Sequence, residues 1–269
     1  MCVFVGGDGR AAWTVEYLEK KGLPVVTCGV PGREDQILPD KISTLLLPFP
    51  VPETMEIPWE ILGRLRRETL ILGGKMGKWR QSWEGIGSRV RDLYDTEPLT
   101  TLNAVATVEG ALALLIREAE ITLWESRCLV IGGGRIGMLM GERLRNLGAK
   151  VTVAARSPGT FARIRALGME TDVTGTYGKG LRQYDFVINT VPFPVLKKEQ
   201  LEKLQDSCFL LELASAPGGF SLKECVELGK RARSAPGLPG KFSPKTAGYL
   251  YGECILKILE EEGILCNRE

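Results

Sequence analysis

The sequence predicts an α/β fold built from two parallel-sheet domains with a cleft between them. Short apolar runs alternate with amphipathic stretches of helical spacing along the chain. Two of the apolar runs lead into glycine-rich turns that open a helix, VGGDGR at 5–10 and VIGGGRIG at 130–137. Because repeated βα units form parallel sheets, we expect one domain around each turn.

The first domain is predicted to span residues 1–102 and to be completed by a C-terminal helix at 243–269. Its sequence predicts strands at 3–5, 25–27, 44–47 and 69–72, with helices at 11–20 and 59–67. In the C-terminal helix, Ser243 is placed to cap the first turn and Pro244 suits the first helical position. Gly263 is placed to end it.

The second domain is predicted to span residues 103–242. It begins with a crossing helix over 104–120, in which apolar residues recur at helical spacing from Val105 to Ala119. The following apolar runs predict strands at 128–131, 151–155, 186–189, 209–213 and 232–235, with helices between them.

Composition excludes several classes of function. A net charge of +2 gives no reason to expect a nucleic-acid or membrane partner. We expect no bilayer-spanning stretch and no secretory signal. Seven scattered cysteines without a CxxC pair are typical of reduced thiols, not of a disulfide framework or a zinc site.

The chain contains no histidine. This excludes a Ser–His triad, a Cys–His nucleophile and a histidine-ligated metal, and we expect no metal site. Acid–base chemistry must therefore use Asp, Glu, Lys, Tyr or Cys.

The mid-chain turn predicts a Rossmann-like dinucleotide site. Gly132, Gly134 and Gly137 satisfy G-x-G-x-x-G between a strand and a helix, and Arg135 and Ile136 complete the turn. The glycines permit the tight turn, close approach of a pyrophosphate and close helix–strand packing. The alternative is a plain tight βα turn that binds nothing.

The next strand end favours NADP over NAD as the cofactor. An acidic residue would bind the ribose hydroxyls of NAD, but VTVAARS ends in Arg156 and Ser157, which suit a 2′-phosphate. A solvated surface arginine is the alternative interpretation of Arg156.

Two further strand ends are predicted to border the nicotinamide, because ligands bind beyond the carboxyl ends of parallel strands. These loops contribute five candidate cofactor residues: Asn189, Thr190, Pro192, Ala214 and Ser215.

The opening turn differs in kind from the mid-chain one. Asp8 occupies the helix-cap position, where a carboxylate would repel a pyrophosphate. Arg10 lies in the first helical turn, where the macrodipole disfavours a cation. Since broken local rules often mark a site, we interpret this turn as binding a small carboxylate-bearing ligand through Arg10. The alternative is that Asp8 only caps the helix.

Other charged residues are candidates for the interdomain cleft. Lys245 lies at the start of the last helix, where a partly buried amine could act as an acid or base or attract an anion. Its alternative is a solvated lysine. Glu109, near the start of the crossing helix, could reach the cleft or could simply favour the helix dipole. Lys75 and Lys78 could add positive charge.

Six stretches resemble the family of the A-type subunit of dipicolinate synthase, in that family's order and over nearly the whole chain. They are 5–10, 103–110, 130–157, 188–192, 211–219 and 235–248. More remotely, the layout is similar to 2-hydroxyacid dehydrogenases and adenosylhomocysteinase. The catalytic histidine of those dehydrogenases is absent, so their mechanism does not transfer.

The resemblance implies NADP-dependent oxidation of a dihydrodipicolinate-pathway intermediate to dipicolinate during sporulation, in the mother-cell cytoplasm. It implies a partner, the flavoprotein-like B-type subunit of dipicolinate synthase, and leaves a homo-oligomer open. A cyclic dicarboxylate needs cationic partners, for which Arg10 and Lys245 lead. Asp8, Glu109 and Lys245 are the candidate proton carriers.

Four further residues are candidate substrate contacts: Asn103, Lys75, and Gly237 and Gly240 of the GLPG loop. Two alternative functions remain at this point. One is another NADP-dependent hydroxy or amino acid dehydrogenase of the same layout, and the other is a non-catalytic, nucleotide-sensing partner of a separate catalytic protein.

Overall fold

A computed structural model describes residues 1–85 and 88–265. The chain divides into two compact units: unit 1 comprises Met1–Ala106 with Pro239–Glu269, and unit 2 comprises Thr107–Leu238. The sequence predicts these boundaries a few residues away, at 102 and 242.

Unit 1 contains a five-stranded parallel sheet in the order β2-β1-β3-β4-β5. Its strands are β1 (Cys2–Val5), β2 (Val25–Cys28), β3 (Thr44–Leu46), β4 (Leu70–Gly73) and β5 (Arg89–Asp92). The helices in this part of the chain are α1 (Gly9–Lys20), α2 (Trp59–Leu62), α3 (Lys78–Gly85) and α4 (Glu97–Glu118), the last of which continues into unit 2.

Unit 2 contains a six-stranded parallel sheet in the order β11-β10-β9-β6-β7-β8. The strands are β6 (Arg127–Ile131), β7 (Lys150–Ala155), β8 (Glu170–Val173), β9 (Phe186–Asn189), β10 (Phe209–Glu212) and β11 (Arg231–Ser234). The helices are α5 (Arg135–Asn146), α6 (Pro158–Ala166), α7 (Lys198–Leu201) and α8 (Leu222–Glu227). The strand order reverses between β6 and β9, which is where doubly wound sheets bind ligands.

The chain closes with α9 (Leu238–Phe242) and α10 (Pro244–Glu261). Helix α10 packs against α1 in unit 1, and two glycines permit the close approach. A Cβ at Gly248 would lie 2.6 Å from the Arg10 carbonyl oxygen, and one at Gly252 would lie 2.5 Å from Tyr17 Cδ1. Thr14 Oγ1 donates to the Gly248 carbonyl at 2.9 Å, which fixes the register of the pair.

Several predicted elements need correction. The helix predicted over 59–67 ends at Leu62, because Gly63 caps it and a turn follows. The GLPG segment, predicted as a loop, opens α9. Ser243 occupies the cap position of α10, but its side chain makes no capping hydrogen bond. Strands β5 and β8 and helix α3 were not predicted, since they are short and carry charged residues.

Helix α4 begins at Glu97, seven residues before the predicted start. Among the described residues it is the one helix long and apolar enough to cross a bilayer, with a mean hydropathy of 1.6, which corrects the expectation that no stretch qualifies. Its apolar residues Val108, Ala111, Leu114 and Leu115 are buried in the core of unit 2, as in a core helix of a globular domain.

Candidate functional site

Unit 2 has a cleft of about 470 Å³ at the carboxyl ends of its strands. The cleft is lined by the turn at 132–136, by 155–157 with Thr160, and by 190–193. Every one of these residues is neutral or basic, so the cleft suits an anion.

The glycines of the mid-chain turn are required by close contacts. Gly132 has φ +111°, and a Cβ there would lie 2.3 Å from Thr190 Oγ1. A Cβ at Gly137 would lie 1.9 Å from the Gly132 carbonyl oxygen, so only glycine lets α5 approach β6 this closely. Gly134 is different, because a Cβ there would meet no atom of the described part of the chain within 4 Å.

The open space at Gly134 fits a bound pyrophosphate. Gly134 is the N-cap of α5 and supplies no side-chain acceptor, and the first turn of the helix carries no acidic residue. The partial positive charge of a helix N-terminus therefore faces the cleft without a competing carboxylate. These residues fit the phosphates of a dinucleotide.

The far end of the cleft is formed by the β7–α6 connection. Arg156 is exposed and lines the cleft. Ser157, predicted as a phosphate ligand, caps α6 by accepting from the Thr160 amide at 3.3 Å. Thr160 also packs on Gly133, and Arg163 donates to its hydroxyl at 3.4 Å. Sequence reasoning missed Thr160 and Arg163, although Ser-Pro at a helix start signals such a cap.

The loop after β9 holds only part of the predicted cofactor set. Thr190 and Pro192 line the cleft, and Thr190 Oγ1 donates to the Ile131 carbonyl at 2.9 Å. Asn189 is fully buried, and its amide donates to the Val191 carbonyl and accepts from the Val191 amide. Asn189 therefore shapes the loop from behind and does not face the cleft, which corrects its predicted role as a cofactor contact.

A buried carboxylate, Glu212, organises the loop after β10 and was missed from the sequence. It accepts from the Asn189 amide at 2.7 Å and from the backbone N–H groups of Ala214 and Gly219 at 2.8 and 2.7 Å. Burial raises the pKa of Glu212, and these hydrogen bonds offset the rise only in part. Ala214 and Ser215, predicted cofactor contacts, lie on this loop outside the residues that line the cleft. The signal in the sequence that could have identified Glu212 is its position as an acid at the end of an apolar strand.

In unit 1, Asp8 caps α1 and forms an ion pair with Arg10. The Arg10 amide donates to Asp8 Oδ1 at 3.0 Å, and the guanidinium donates to both carboxylate oxygens at 2.7–3.1 Å. Partial burial raises the pKa of Asp8, but Arg10 outweighs that effect and the net pKa is lowered.

Arg10 does not present its guanidinium to solvent. Its side chain is 4% exposed, whereas that of Asp8 is 49% exposed. Beyond Asp8 it donates to the Phe49 carbonyl and, at 3.4 Å, to the Tyr251 hydroxyl. The structure therefore corrects the prediction that Arg10 grips a ligand carboxylate, because protein groups already engage it.

Gly240, a predicted substrate contact, adjoins this ion pair. A Cβ at Gly240 would lie 2.9 Å from Asp8 Oδ2 and 3.2 Å from Arg10 Nε. Gly237 is exposed with φ +69°, so its backbone conformation favours glycine, but it belongs to unit 2.

Three other predicted site residues also belong to unit 1, namely Lys245, Lys75 and Asn103. Lys245 is exposed, not partly buried as expected, and its Nζ lies 5.1 Å from the ring centroid of Trp13. Lys75 is exposed with φ +52°, and its backbone N–H donates to Asp92 Oδ1 at 2.9 Å. Asn103 lies half-buried within α4 instead of preceding the helix.

Glu109 and Lys78 are also exposed. Because α4 begins at Glu97, Glu109 lies in mid-helix, beyond the first turn where the dipole favours an acid. The interpretation of Glu109 as a first-turn acid is therefore wrong, whereas its reach into a cleft stays a prediction. Across residues 1–85 and 88–265, no cluster of His, Cys, Asp and Glu has an arrangement that could hold a metal ion.

A family model matches a stretch of unit 2 that includes two of the three segments lining the cleft. The model of the pyridine nucleotide-disulphide oxidoreductase family matches residues 127–176, which include the glycine turn and the β7–α6 connection. Over the whole chain, the A-type subunit of dipicolinate synthase from Bacillus subtilis (strain 168) is 36% identical over 281 residues, covering 96% of this chain and 95% of that protein.

Solved structures show the same fold. The crystal structure of the A-type subunit of dipicolinate synthase from Bacillus halodurans superposes with a TM-score of 0.85 at 26% identity, covering 96% of this chain and 97% of that one. A D-isomer specific 2-hydroxyacid dehydrogenase from Lactobacillus delbrueckii ssp. bulgaricus shares the fold, with a TM-score of 0.62 at 13% identity over 99% of both chains.

These findings confirm the predicted α/β class with two parallel sheets, similar to that of 2-hydroxyacid dehydrogenases. They also support an oxidoreductase with an NAD(P) site. Since the likeness to the Bacillus subtilis protein extends over nearly the whole of both sequences, this chain belongs to the family of the A-type subunit of dipicolinate synthase.

Proposed function

We propose that the protein oxidises a cyclic dihydropyridine dicarboxylate of the dihydrodipicolinate pathway to dipicolinate, with NADP as the oxidant. The observation that carries the cofactor choice is the end of β7, where Arg156 and the α6 cap replace the acid that would bind the ribose of NAD. Family membership supports the product.

The chain's own residues have separate tasks in this proposal. The N-terminal amides of α5 bind the pyrophosphate, and Arg156 neutralises the 2′-phosphate. When bound, the nicotinamide supplies a hydride acceptor at C4. Among the exposed cations of unit 1, we propose that Lys245 and Lys75 bind the two carboxylates of the substrate.

Aromatisation releases one hydride and one proton, so the reaction needs a proton acceptor as well as the cofactor. Asp8, half-exposed and with a lowered pKa, is an ionised carboxylate near neutral pH and is proposed as that acceptor. Lys245 and Glu109 remain the other candidate proton carriers. If the substrate arrives hydroxylated, water must also leave.

We also propose a partner subunit, a cellular location and a developmental stage for the reaction. The B-type subunit of the synthase is the partner, and the reaction takes place in the cytoplasm of the mother cell during sporulation. Family membership supports the first of these, since the related A-type protein is one subunit of a synthase.

The test is an assay of the purified protein with dihydrodipicolinate and NADP⁺, with and without the B-type subunit, following both NADPH and dipicolinate by ultraviolet absorbance. Equal amounts of the two products are expected. NADPH formation only from a hydroxy or amino acid would favour a different dehydrogenase. Tight NADP(H) binding without any turnover, even with the B-type subunit present, would favour a nucleotide-sensing protein.

A further inference from the structure

The donors of Arg10 are almost all used within the protein. A guanidinium has five N–H groups. Nε–H donates to Asp8, both N–H groups of one terminal nitrogen go to Asp8 and the Phe49 carbonyl, and the other terminal nitrogen donates to Tyr251. The fifth N–H has no acceptor among residues 1–85 and 88–265, and the side chain is 4% exposed. Arg10 therefore cannot offer the two parallel donors that grip a ligand carboxylate.

Asp8 has the opposite character. Its carboxylate is 49% exposed, although the fork of Arg10 holds both of its oxygens. A carboxylate has about four lone-pair sites, so acceptor capacity remains on the exposed side. The oxygen Oδ2 lies beside Gly240, where a side chain would crowd it. The arrangement fixes the direction of the carboxylate and leaves one face open to a ligand.

A second layer holds Arg10 in place. The Tyr251 hydroxyl hydrogen-bonds to the Tyr94 hydroxyl at 2.8 Å, and the Tyr251 ring stacks on Phe49 at 4.4 Å between centroids. The guanidinium carbon lies 5.5 Å from the Tyr251 ring centroid. Within the described residues, the titratable groups that act on Arg10 are thus Asp8 at the cap of α1, Tyr251 on α10 and Tyr94 after β5. Burial raises the pKa of Tyr251, so the charge acting on Asp8 is that of Arg10.

We propose that Arg10 is a positioning residue that acts only through Asp8, and that Asp8 is the member of this ion pair that contacts the substrate. The dihydropyridine ring first loses hydride from one of its carbons, which leaves a cationic ring. A second ring hydrogen, on carbon or on nitrogen according to the tautomer that binds, then leaves as a proton to a carboxylate oxygen of Asp8, and its bonding electron pair stays on the ring. Asp8 passes the proton to water. This inference rests on the proposed function, because it assigns a role within that oxidation.

The test compares Arg10→Lys with wild type. Lysine keeps the positive charge but lacks the fork, so the carboxylate is less well held. We expect the acidic limb of the pH profile of kcat/KM to move to higher pH and kcat to fall by about tenfold or more, with little change in KM. A KM increase of that size with the acidic limb unmoved would show that Arg10 binds substrate and would overturn the proposal.

A second measurement does not depend on turnover. The pKa of the Asp8 carboxyl is followed by ¹³C NMR titration in wild type and in Arg10→Lys, and we expect it to rise in the variant. An unchanged pKa would refute the positioning role whether or not dihydrodipicolinate is oxidised. Conversely, a raised pKa in a protein that does not oxidise dihydrodipicolinate would refute the proposed function and leave the Arg10–Asp8 coupling standing.

Two further variants control for structural damage. Arg91→Lys alters another ion-paired arginine of unit 1, which contacts Glu261 and Glu262, and should change neither the pH profile nor the Asp8 pKa. If Arg10→Lys fails to fold, Tyr251→Phe removes one acceptor of Arg10 and its bond to Tyr94. It should then raise the Asp8 pKa by a smaller amount, and no rise would refute the proposal.

Discussion

Replacing Gly137 or Gly134 by alanine should impair two different properties of the protein. We expect Gly137→Ala to lower its stability and Gly134→Ala to lower its affinity for NADPH. A Cβ at Gly137 would lie 1.9 Å from the Gly132 carbonyl oxygen, against an ordinary van der Waals contact of 3.4–4 Å, and backbone cannot move aside cheaply. Overpacking of this kind costs roughly 1–3 kcal/mol, and we expect about 3 because the contacted atom belongs to the backbone. At about 2–4 °C per kcal/mol, the midpoint of thermal unfolding should fall by about 6–12 °C.

Gly134→Ala is the matched control, three residues earlier at the N-cap of the same helix. Its Cβ would meet nothing within 4 Å, and its φ of −84° suits alanine, so stability should fall by no more than about 1 kcal/mol. A methyl group there would nevertheless occupy the space assigned to the pyrophosphate, so NADPH affinity should fall at least about tenfold.

Thermal unfolding and NADPH fluorescence titration are measured on both variants. Wild-type stability in Gly137→Ala would refute the packing argument for that glycine. Undiminished NADPH affinity in Gly134→Ala would show that the phosphates lie elsewhere than at the N-terminus of α5.

Three other expectations follow from the same structure. Arg156→Ala should weaken binding of NADPH by about tenfold or more and leave NADH nearly unchanged in fluorescence titrations, whereas equal losses would contradict the 2′-phosphate role. Because burial raises the pKa of Glu212, wild-type stability falls as pH rises through that pKa, so the stability advantage of wild type over Glu212→Gln should shrink above pH 4.5 in urea unfolding. A double variant, Lys245→Ala with Glu109→Ala, should retain cofactor affinity and lose turnover in the NADP⁺ assay. Retained turnover would remove both residues from the candidate proton carriers.

The sequence predicts the buried strands well because their signal is local. Strands such as β6 and β9 are continuous apolar runs bounded by turn residues, which is how the interior of a parallel sheet reads. Strand β5, with the sequence RVRD, carries three charged residues and pairs on one side only, so its strand character comes from the neighbouring β4. Tertiary pairing of this kind has no signal within four residues.

For the candidate site too, the roles that depend on local sequence could be predicted and those that depend on distant residues could not. The role of Gly137 follows from motif spacing, because the fingerprint encodes a backbone geometry. The role of Arg10 does not, since its partners Phe49 and Tyr251 lie 39 and 241 residues away in the chain. A cation in a first helical turn was correctly identified as unusual, but only the fold shows that a carboxylate two residues earlier and a distant carbonyl satisfy it.

The two glycine-rich turns differ in the residue at the helix cap. In unit 2 the cap of α5 is Gly134, so the helix N-terminus keeps its partial positive charge directed at the cleft. In unit 1 the cap of α1 is Asp8, whose carboxylate accepts the Arg10 amide and places negative charge at the equivalent point. A pyrophosphate would be attracted to the first and repelled by the second. The same βα turn can therefore favour an anion in one unit and present an ionised carboxylate in the other, without any change of fold.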